Sequence, residues 1–172
     1  MAPRRPTTLA LGLLALVGQV LALGQHMCAE FKSSPTTFTV VNSGKAVPIL
    51  ISSDDWPGVQ RAAFDFASDI ESVTGVKPTL KNVTSSDTTK LATTTAIIVG
   101  TLGKSTLIDE VVNRTKLDVS FIRGRWESFI AKEVKDPLPG LSSAYVVIGA
   151  DKRGSIFALY DHSEQFGAFI CV

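Results

Sequence analysis

The amino-terminal part of the chain carries apolar and polar positions in the order that is typical of two strands joined by a tight turn. Residues 36–41 and 46–51 are short runs rich in β-branched side chains. They are separated by Asn42-Ser43-Gly44-Lys45, which is a turn sequence. This pattern predicts a β-hairpin.

The most regular apolar stripe in the chain follows Pro57 and predicts an α-helix. Its members recur at three- and four-residue spacing, so they share one helix face; they are Val59, Ala62, Ala63, Phe66, Ile70 and Val73. The acidic pair Asp54 and Asp55 can accept amide hydrogen bonds at the helix start, with the proline in the first turn. Gly75 is placed to end the helix.

Further strands and two more helices are predicted along the rest of the chain. Strands are predicted at 77–80, 96–100, 129–134 and 145–149, of which 96–100 is a continuous apolar run closed by glycine. The helices cover 105–113 and a segment from about 154 to 167. The Ser- and Thr-rich segment 82–95 predicts a mobile surface loop, and 136–140 a stiff turn. Together these elements predict an α/β (α+β) fold, in which helices cover a mixed sheet of about five or six strands.

Composition limits the chain to one modest globular domain. It has 172 residues, 45% hydrophobic and 19% charged, with ordinary numbers of glycine (13) and proline (8) and only two cysteines. Collagen-like and disulfide-dense scaffolds are therefore excluded. Because 17 Lys and Arg residues balance 16 Asp and Glu residues, we expect no nucleic-acid partner.

Residues 1–24 have the pattern of a secretory signal peptide. Arg4 and Arg5 precede an apolar run at 9–23 that is short for a membrane span, and small residues precede a cleavage point after Gly24. An uncleaved membrane anchor is the alternative. Cleavage would remove 24 of 172 residues and leave a domain of 148, residues 25–172, with the net charge lowered from +1 to −1 by the loss of two arginines. We therefore expect a secreted protein that does not contact the membrane after cleavage.

Export would bring the cysteines into an oxidising compartment and would make two asparagines available for N-glycosylation. In an oxidising compartment Cys28 and Cys171 either pair or remain free thiols, and the sequence leaves both open. Asn82-Val83-Thr84 and Asn113-Arg114-Thr115 are acceptor sequences for N-glycosylation, which predicts glycans on Asn82 and Asn113 in exposed segments.

The segment 100–105, Gly-Thr-Leu-Gly-Lys-Ser, joins a buried strand to a helix, which is the setting of a phosphate-binding loop. A Walker loop requires glycine where this chain has Ile98, so we do not expect nucleotide binding. Two interpretations stay open. The helix N-terminus, with Lys104 and Ser105, binds a carboxylate or sulfate; or the glycines only permit a tight turn and Ser105 caps the helix.

Asp151-Lys152-Arg153-Gly154 occupies the equivalent position after the next apolar strand. If the two strands are parallel, both loops emerge at the sheet edge where open α/β sheets usually bind ligands. This makes Lys152 and Arg153 candidate substrate ligands beside Lys104 and Ser105. The alternative is a solvated turn in which Asp151 caps the last helix.

A complete active site does not emerge from the sequence. Asp54 and Asp55 are adjacent, so they are poorly placed to flank a glycosidic bond at separations of about 5 to 9 Å, and we favour capping. His26 and His162 lie in no His-x-x-x-His or Cys/His cluster, so no metal or other cofactor is expected. A Ser-His-Asp triad remains open, but no Gly-x-Ser-x-Gly motif supports it.

Four segments in order resemble the N-terminal domain of glycoside hydrolase family 115. They are PILISSDDWPGV at 48–59, IIVGTLGKS at 97–105, GRWESF at 124–129 and DKRGSIFALYDHSEQFG at 151–167. The family consists of xylan α-1,2-glucuronidases, which remove glucuronic acid or its 4-O-methyl ether from xylan side chains. The resemblance extends to the accessory α/β domain ahead of the barrel in hexosaminidases and other glucuronidases, where the Arg-Gly step before the last helix is mainly architectural.

The resemblance implies that catalytic carboxylates lie in a (β/α)8 barrel that follows this domain. The chain ends where the family continues, and a barrel needs about 250 residues, so no catalytic residue is assigned here. We expect a secreted, non-catalytic fragment or truncated gene product, inactive alone, whose partners are the missing barrel and glucuronoxylan.

Two alternatives remain at this point. One is a stand-alone module that binds uronate or xylan through Lys104, Lys152 and Arg153. The other is a transcript whose product does not fold stably, because the face that meets the barrel is left exposed.

Overall fold

Three α-helices, one 3₁₀-helix and seven strands make up the described part of the chain, which is Ala29 and residues 37–168 of a computed structural model. The strands are β1 (Val41–Asn42), β2 (Lys45–Ala46), β3 (Ile49–Ile51), β4 (Leu80–Asn82), β5 (Thr95–Thr101), β6 (Phe129–Lys135) and β7 (Ser143–Gly149). The helices are α1 (Pro57–Thr74), α2 (Thr106–Thr115) and α3 (Lys152–Gln165), and the 3₁₀-helix is Ser85–Lys90. Residues 1–24, which are predicted to form a signal peptide, lie outside this part, as do Cys28 and Cys171.

Five of the strands form one mixed sheet in the order β4-β3-β5-β7-β6. Neighbouring strands are parallel except β6, which runs antiparallel to β7 from Phe129 opposite Gly149 to Lys135 opposite Ser143. The other two strands, β1 and β2, form a separate antiparallel ribbon. The predicted α/β fold with a mixed sheet of about five or six strands is confirmed.

Helices cover both faces of the sheet because its central strands are apolar on both sides. Ile49, Ile97 and Val147 point to one face, where they meet the buried residues of α1 and α3. The alternate positions, such as Leu50 and Ile98, point to the opposite face and pack against α2 and the segments around it. The result is a three-layer arrangement.

The predicted hairpin is only partly correct. The ribbon pairs Val41 with Ala46, and Val47 N still donates to Val40 O at 2.9 Å, but the pairing stops there rather than continuing to 51. Pro48 has no N–H with which to extend a ladder, and its carbonyl accepts a hydrogen bond from Ile97 N at 2.9 Å. The chain therefore enters the main sheet at β3 as a new strand.

The segment 82–95 is not the free loop that its composition predicts. Part of it is the 3₁₀-helix Ser85–Lys90, and the side chain of Thr88 is fully buried. The Thr88 hydroxyl donates a hydrogen bond to the Pro139 carbonyl at 2.8 Å, which ties the segment to the predicted stiff turn. A threonine-rich composition cannot distinguish such an anchored segment from a solvated one.

Candidate functional site

Four loops meet at the carboxyl ends of the parallel strands. They are residues 52–56, 102–105, 150–151 with the start of α3, and 123–128, and together we name them the loop edge. The last loop belongs here because β6 is antiparallel and begins at this edge. Leu102 N donates to Gly149 O at 2.9 Å and Ala150 N donates to Ser128 O at 2.8 Å, which joins three of the loops. The prediction that the 100–105 and 151–154 loops share an edge is confirmed.

The strand order reverses between β3 and β5, and this is where open α/β sheets form a ligand crevice. Here the protein places its own carboxylate at the N-terminus of α2. Asp54 contacts the Ser52 hydroxyl, which in turn lies 3.3 Å from the Thr106 hydroxyl. Hydrogen bonds from Ser52 and from the side chain and backbone of Thr106 lower the pKa of Asp54. Asp54 therefore lies beside the N-terminus of α2, the helix end considered above for a carboxylate or sulfate.

Asp55 performs a different task from the cap that its sequence position predicts. The N-cap of α1 is Trp56, and no side chain caps that helix. The Asp55 carboxylate is 3% exposed and accepts hydrogen bonds from Trp56 N at 2.7 Å and Thr101 N at 2.8 Å. Burial raises the pKa of Asp55, and the hydrogen bonds donated by these backbone amides oppose the rise. The carboxylate thus ties the start of α1 to the end of β5, so the capping prediction for Asp54 and Asp55 is wrong.

In the loop between β5 and α2, the two predicted ligands Ser105 and Lys104 have different surroundings. Ser105 is fully buried and its hydroxyl accepts a hydrogen bond from Ile108 N at 3.4 Å, so the interpretation of Ser105 as the α2 cap is confirmed. A Cβ on Gly100 would lie 2.7 Å from that hydroxyl, which is why glycine is needed in this tight turn. Lys104 is exposed, with its Nζ 5.2 Å from the centroid of the Trp56 ring.

The start of α3 carries the other two predicted ligands on its surface. Asp151 caps α3 by accepting from Gly154 N at 2.7 Å, as predicted, and its second oxygen accepts from Glu127 N at 3.2 Å. Lys152 and Arg153 are both exposed. Arg153 Nε lies 2.9 Å from Glu127 Oε1, so this guanidinium holds the 123–128 loop against α3.

Comparison with solved structures finds a similar fold in part of a carbohydrate-active enzyme. That protein is a family GH115 4-O-methyl-α-glucuronidase with specificity for decorated arabinogalactans, and it matches with a TM-score of 0.55 and 23% sequence identity. The match covers 74% of this chain but 14% of that one. What the two share is the fold. Neither a protein-family model nor a curated protein matches the chain.

Two exposed tryptophans at the loop edge were not predicted as site residues. Trp126 is 84% exposed and Trp56 is 43% exposed. Arg125, which precedes Trp126, is also exposed. The run Gly-Arg-Trp-Glu at 124–127 offered a signal, since a lone tryptophan between charged residues and beside a glycine has no apolar stripe to join.

The predicted glycosylation sites are accessible. Asn82 ends the edge strand β4 and Asn113 lies in the last turn of α2, and both side chains are exposed.

Within residues 37–168 and Ala29, no group of three or more His, Cys, Asp and Glu side chains is arranged to hold a metal ion. No helix there is both long and apolar enough to cross a membrane. His162 is buried between aromatic rings, and His26 lies outside the described residues.

Proposed function

We propose that this chain is a non-catalytic α/β domain of a secreted α-glucuronidase of the glycoside hydrolase family 115 type, which acts on glucuronoxylan side chains. The observation that carries the proposal is that all four family-like segments contribute to the loop edge. Segments 48–59, 97–105 and 124–129 each contain part of the loop edge, and 151–167 begins there and continues as α3. The GH115 fold similarity described above supports the same assignment.

The state of the acidic side chains at the loop edge supports a non-catalytic role. Glycoside hydrolysis uses two carboxyl groups on opposite sides of the scissile bond, one of which gives or takes a proton. Here Asp55 is buried against two amides, Asp54 is bound by Ser52 and Thr106, and Asp151 caps α3. Glu127 is paired with Arg153. Each carboxylate already has a structural task.

The proposed partner for catalysis is a (β/α)8 barrel, of about 250 residues by the usual size of that fold. The chain spans 14% of the GH115 structure it matches, so the remainder of such an enzyme lies elsewhere. The proposed division of labour therefore puts the chemistry in the barrel and leaves this domain to support the barrel or to contact substrate.

The test is a hydrolysis assay with the purified chain. Incubated with glucuronoxylan, it is expected to release no glucuronic acid or 4-O-methylglucuronic acid, while an active α-glucuronidase added to the same mixture does so. Sugar released by the chain alone would contradict the proposal, provided that it falls in an Asp54→Asn/Asp55→Asn variant. That variant separates activity of the chain from activity of a contaminant.

A further inference from the structure

Both tryptophans of the chain lie at the loop edge, and both are exposed. The sequence contains two tryptophans, and they are Trp56 and Trp126. A tryptophan that is 84% exposed gains almost nothing from hydrophobic burial, and large apolar side chains presented to solvent often mark binding surfaces. Neither residue is needed to complete the two hydrophobic cores.

Backbone contacts hold the Trp126 loop away from the core. Arg125 N donates to Ile122 O at 3.0 Å, and Glu127 adopts a left-handed backbone conformation with φ +57°. Glu127 is then fixed by the hydrogen bond that its backbone N–H donates to the Asp151 carboxylate and by its ion pair with Arg153. The indole is therefore presented on a braced loop, which lowers the ordering cost of binding a ligand.

The charges left free at the loop edge are positive. Arg123, Arg125 and Lys152 are exposed, and in the described part of the chain none of them forms an ion pair. Lys104 is also free of ion pairs there, and it lies over the Trp56 ring. The nearby carboxylates of Asp54, Asp55 and Asp151 accept hydrogen bonds from hydroxyls and backbone amides, and Glu127 pairs with Arg153, so none of them forms an ion pair with these four cations.

We infer that the loop edge binds an acidic oligosaccharide, with Trp126 and Trp56 stacking on sugar rings and Arg125, Lys152 and Lys104 pairing with uronate carboxylates. The C–H face of a sugar ring is apolar and complements the negative face of an indole. The edge runs from β3 across β5 and β7 to β6, which is three strand spacings or about 14 Å, so several sugar units are in contact. The inference rests on the proposed function for its class of glycan. It assigns the carboxylate contacts to exposed basic side chains rather than to the backbone amides of the α2 N-terminus, beside which Asp54 lies.

Charge density favours a glycan over a nucleic acid. Exposed aromatic rings beside basic residues also suit single-stranded nucleic acid. A polynucleotide, however, places a phosphate on every unit, and its binding depends on many Lys and Arg contacts. The mature chain has an expected net charge of −1, after loss of the two leader arginines from +1, and the loop edge carries the carboxylates of Asp54, Asp55 and Asp151 among its cations. This arrangement suits a polymer with occasional carboxylates.

Intrinsic tryptophan fluorescence tests the inference directly, because both tryptophans of the chain lie at the proposed surface. Titration with oligosaccharides from glucuronoxylan is expected to change the emission saturably. The single-tryptophan variants Trp56→Phe and Trp126→Phe should each retain part of the change. Unsubstituted xylan is expected to bind at least about tenfold more weakly, because it lacks the carboxylate. Raising the salt concentration should weaken binding of the acidic oligosaccharide.

Matched variants locate the surface. Trp126→Ala and Arg125→Ala are each expected to weaken binding about tenfold or more, since tryptophan and arginine are the usual hot-spot residues. The controls are Phe64→Ala, an exposed aromatic in the middle of α1, and Arg114→Ala, an exposed arginine at the opposite end of α2 from Lys104. Both controls should bind as the parent chain does. Circular dichroism would confirm that all four variants are folded.

Three outcomes would overturn the inference. One is the absence of saturable binding, another is equal loss of binding in the control variants, and the third is tighter binding to polyuridylate or to phosphatidylserine vesicles than to the acidic oligosaccharide. The hydrolysis assay remains separate from these results. A chain that neither binds nor hydrolyses leaves the proposed function intact and rejects the binding surface. Release of glucuronic acid that falls in the Asp54→Asn/Asp55→Asn variant rejects the proposed function, whatever the binding.

Discussion

Asp54 and Asp55 are neighbours in the chain, yet their pKa values shift in opposite directions. Asp54 is exposed, and its hydrogen bonds, first of all with Ser52, lower its pKa. Asp55 is buried, and desolvation raises its pKa although two amides point at its carboxylate. The difference arises because one side chain faces solvent at the α2 N-terminus and the other lies between two elements.

His162 also has a shifted pKa, and its imidazole lies in a box of aromatic rings. Phe66, Phe129, Tyr145 and Phe166 have ring centroids between 5.6 and 6.5 Å from the imidazole. Nδ1 lies 2.6 Å from the Ala158 carbonyl, which can only accept, so Nδ1 carries the proton. Nε2 then accepts from the Tyr145 hydroxyl at 2.9 Å. Burial lowers the pKa of His162, because a charged ring would be poorly solvated here.

This burial predicts a pH-dependent stability. Because the pKa of His162 is lower in the folded chain than its ordinary value of 6.5, the unfolded chain binds more protons between the two values. The free energy of unfolding should therefore fall as the pH is lowered below about 6.5, by at most about 1.4 kcal/mol per pH unit. Urea unfolding at pH 7.5 and pH 5.5 would measure the fall.

The control is His162→Gln, which keeps an amide near Ala158 and Tyr145 but does not titrate. It should be less stable than the parent at pH 7.5 because the aromatic box is imperfectly filled, and its stability should vary less over the same pH interval. All other titrating groups are common to both proteins and cancel in the comparison. Parallel pH dependences would show that His162 does not control the effect.

At the level of elements, α3 packs close to the backbone of the sheet and of the 123–128 loop, and glycines make this close approach possible. A Cβ on Gly154 would lie 2.4 Å from the Ser128 carbonyl, because the 123–128 loop crosses the first turn of α3 there. At Gly149 a Cβ would lie 2.1 Å from Ser155 N. Side chains at these positions would push the helix away from the sheet. The Arg-Gly step is therefore required by packing, whatever else Arg153 contacts.

Two glycines in the first turns of helices should respond oppositely to substitution by alanine. Gly154→Ala is expected to cost about 1–3 kcal/mol, because the added methyl group meets a backbone carbonyl that cannot easily move. Gly58→Ala is expected to be neutral or to stabilise by up to about 1 kcal/mol, since alanine favours the helix. Its Cβ would meet the flexible end of Ile156 at 3.3 Å. Urea midpoints with unchanged m-values would give both numbers, and equal effects would contradict the prediction.

At the level of the whole molecule, export and modification are the properties to test. Expression in a eukaryotic host should place the chain in the medium with Gln25 at its N-terminus and with glycans on Asn82 and Asn113. Both asparagines are exposed, so a glycan there does not disturb the two cores. Mass spectrometry of the parent and of Asn82→Gln and Asn113→Gln should show one glycan lost in each variant.

Retention of the chain with the membranes, with residues 1–24 still attached, would instead support the uncleaved anchor. A secreted chain with neither asparagine modified would confirm the predicted export and contradict the predicted glycosylation.

The sequence by itself determined the elements in which apolar side chains recur at regular spacing or form a continuous run. The stripe from Val59 to Val73, the apolar run at 96–100 and the glycine at 75 predicted α1, β5 and the end of α1, because a helix or buried strand needs those residues locally. It also predicted the caps Ser105 and Asp151, whose partners lie three residues away. Such interactions are short in sequence, so a pattern can reveal them.

Only the tertiary structure decided which distant groups meet. It placed Asp54 at the α2 N-terminus, carried Asp55 across to Thr101, seated Ser128 against Gly154 and left both tryptophans exposed on one edge. These contacts depend on strand order and on the direction of β6, and neither is encoded in local periodicity. A residue's charge and type are present in the sequence, but its solvation and its partners are set by the packing of elements far apart in the chain.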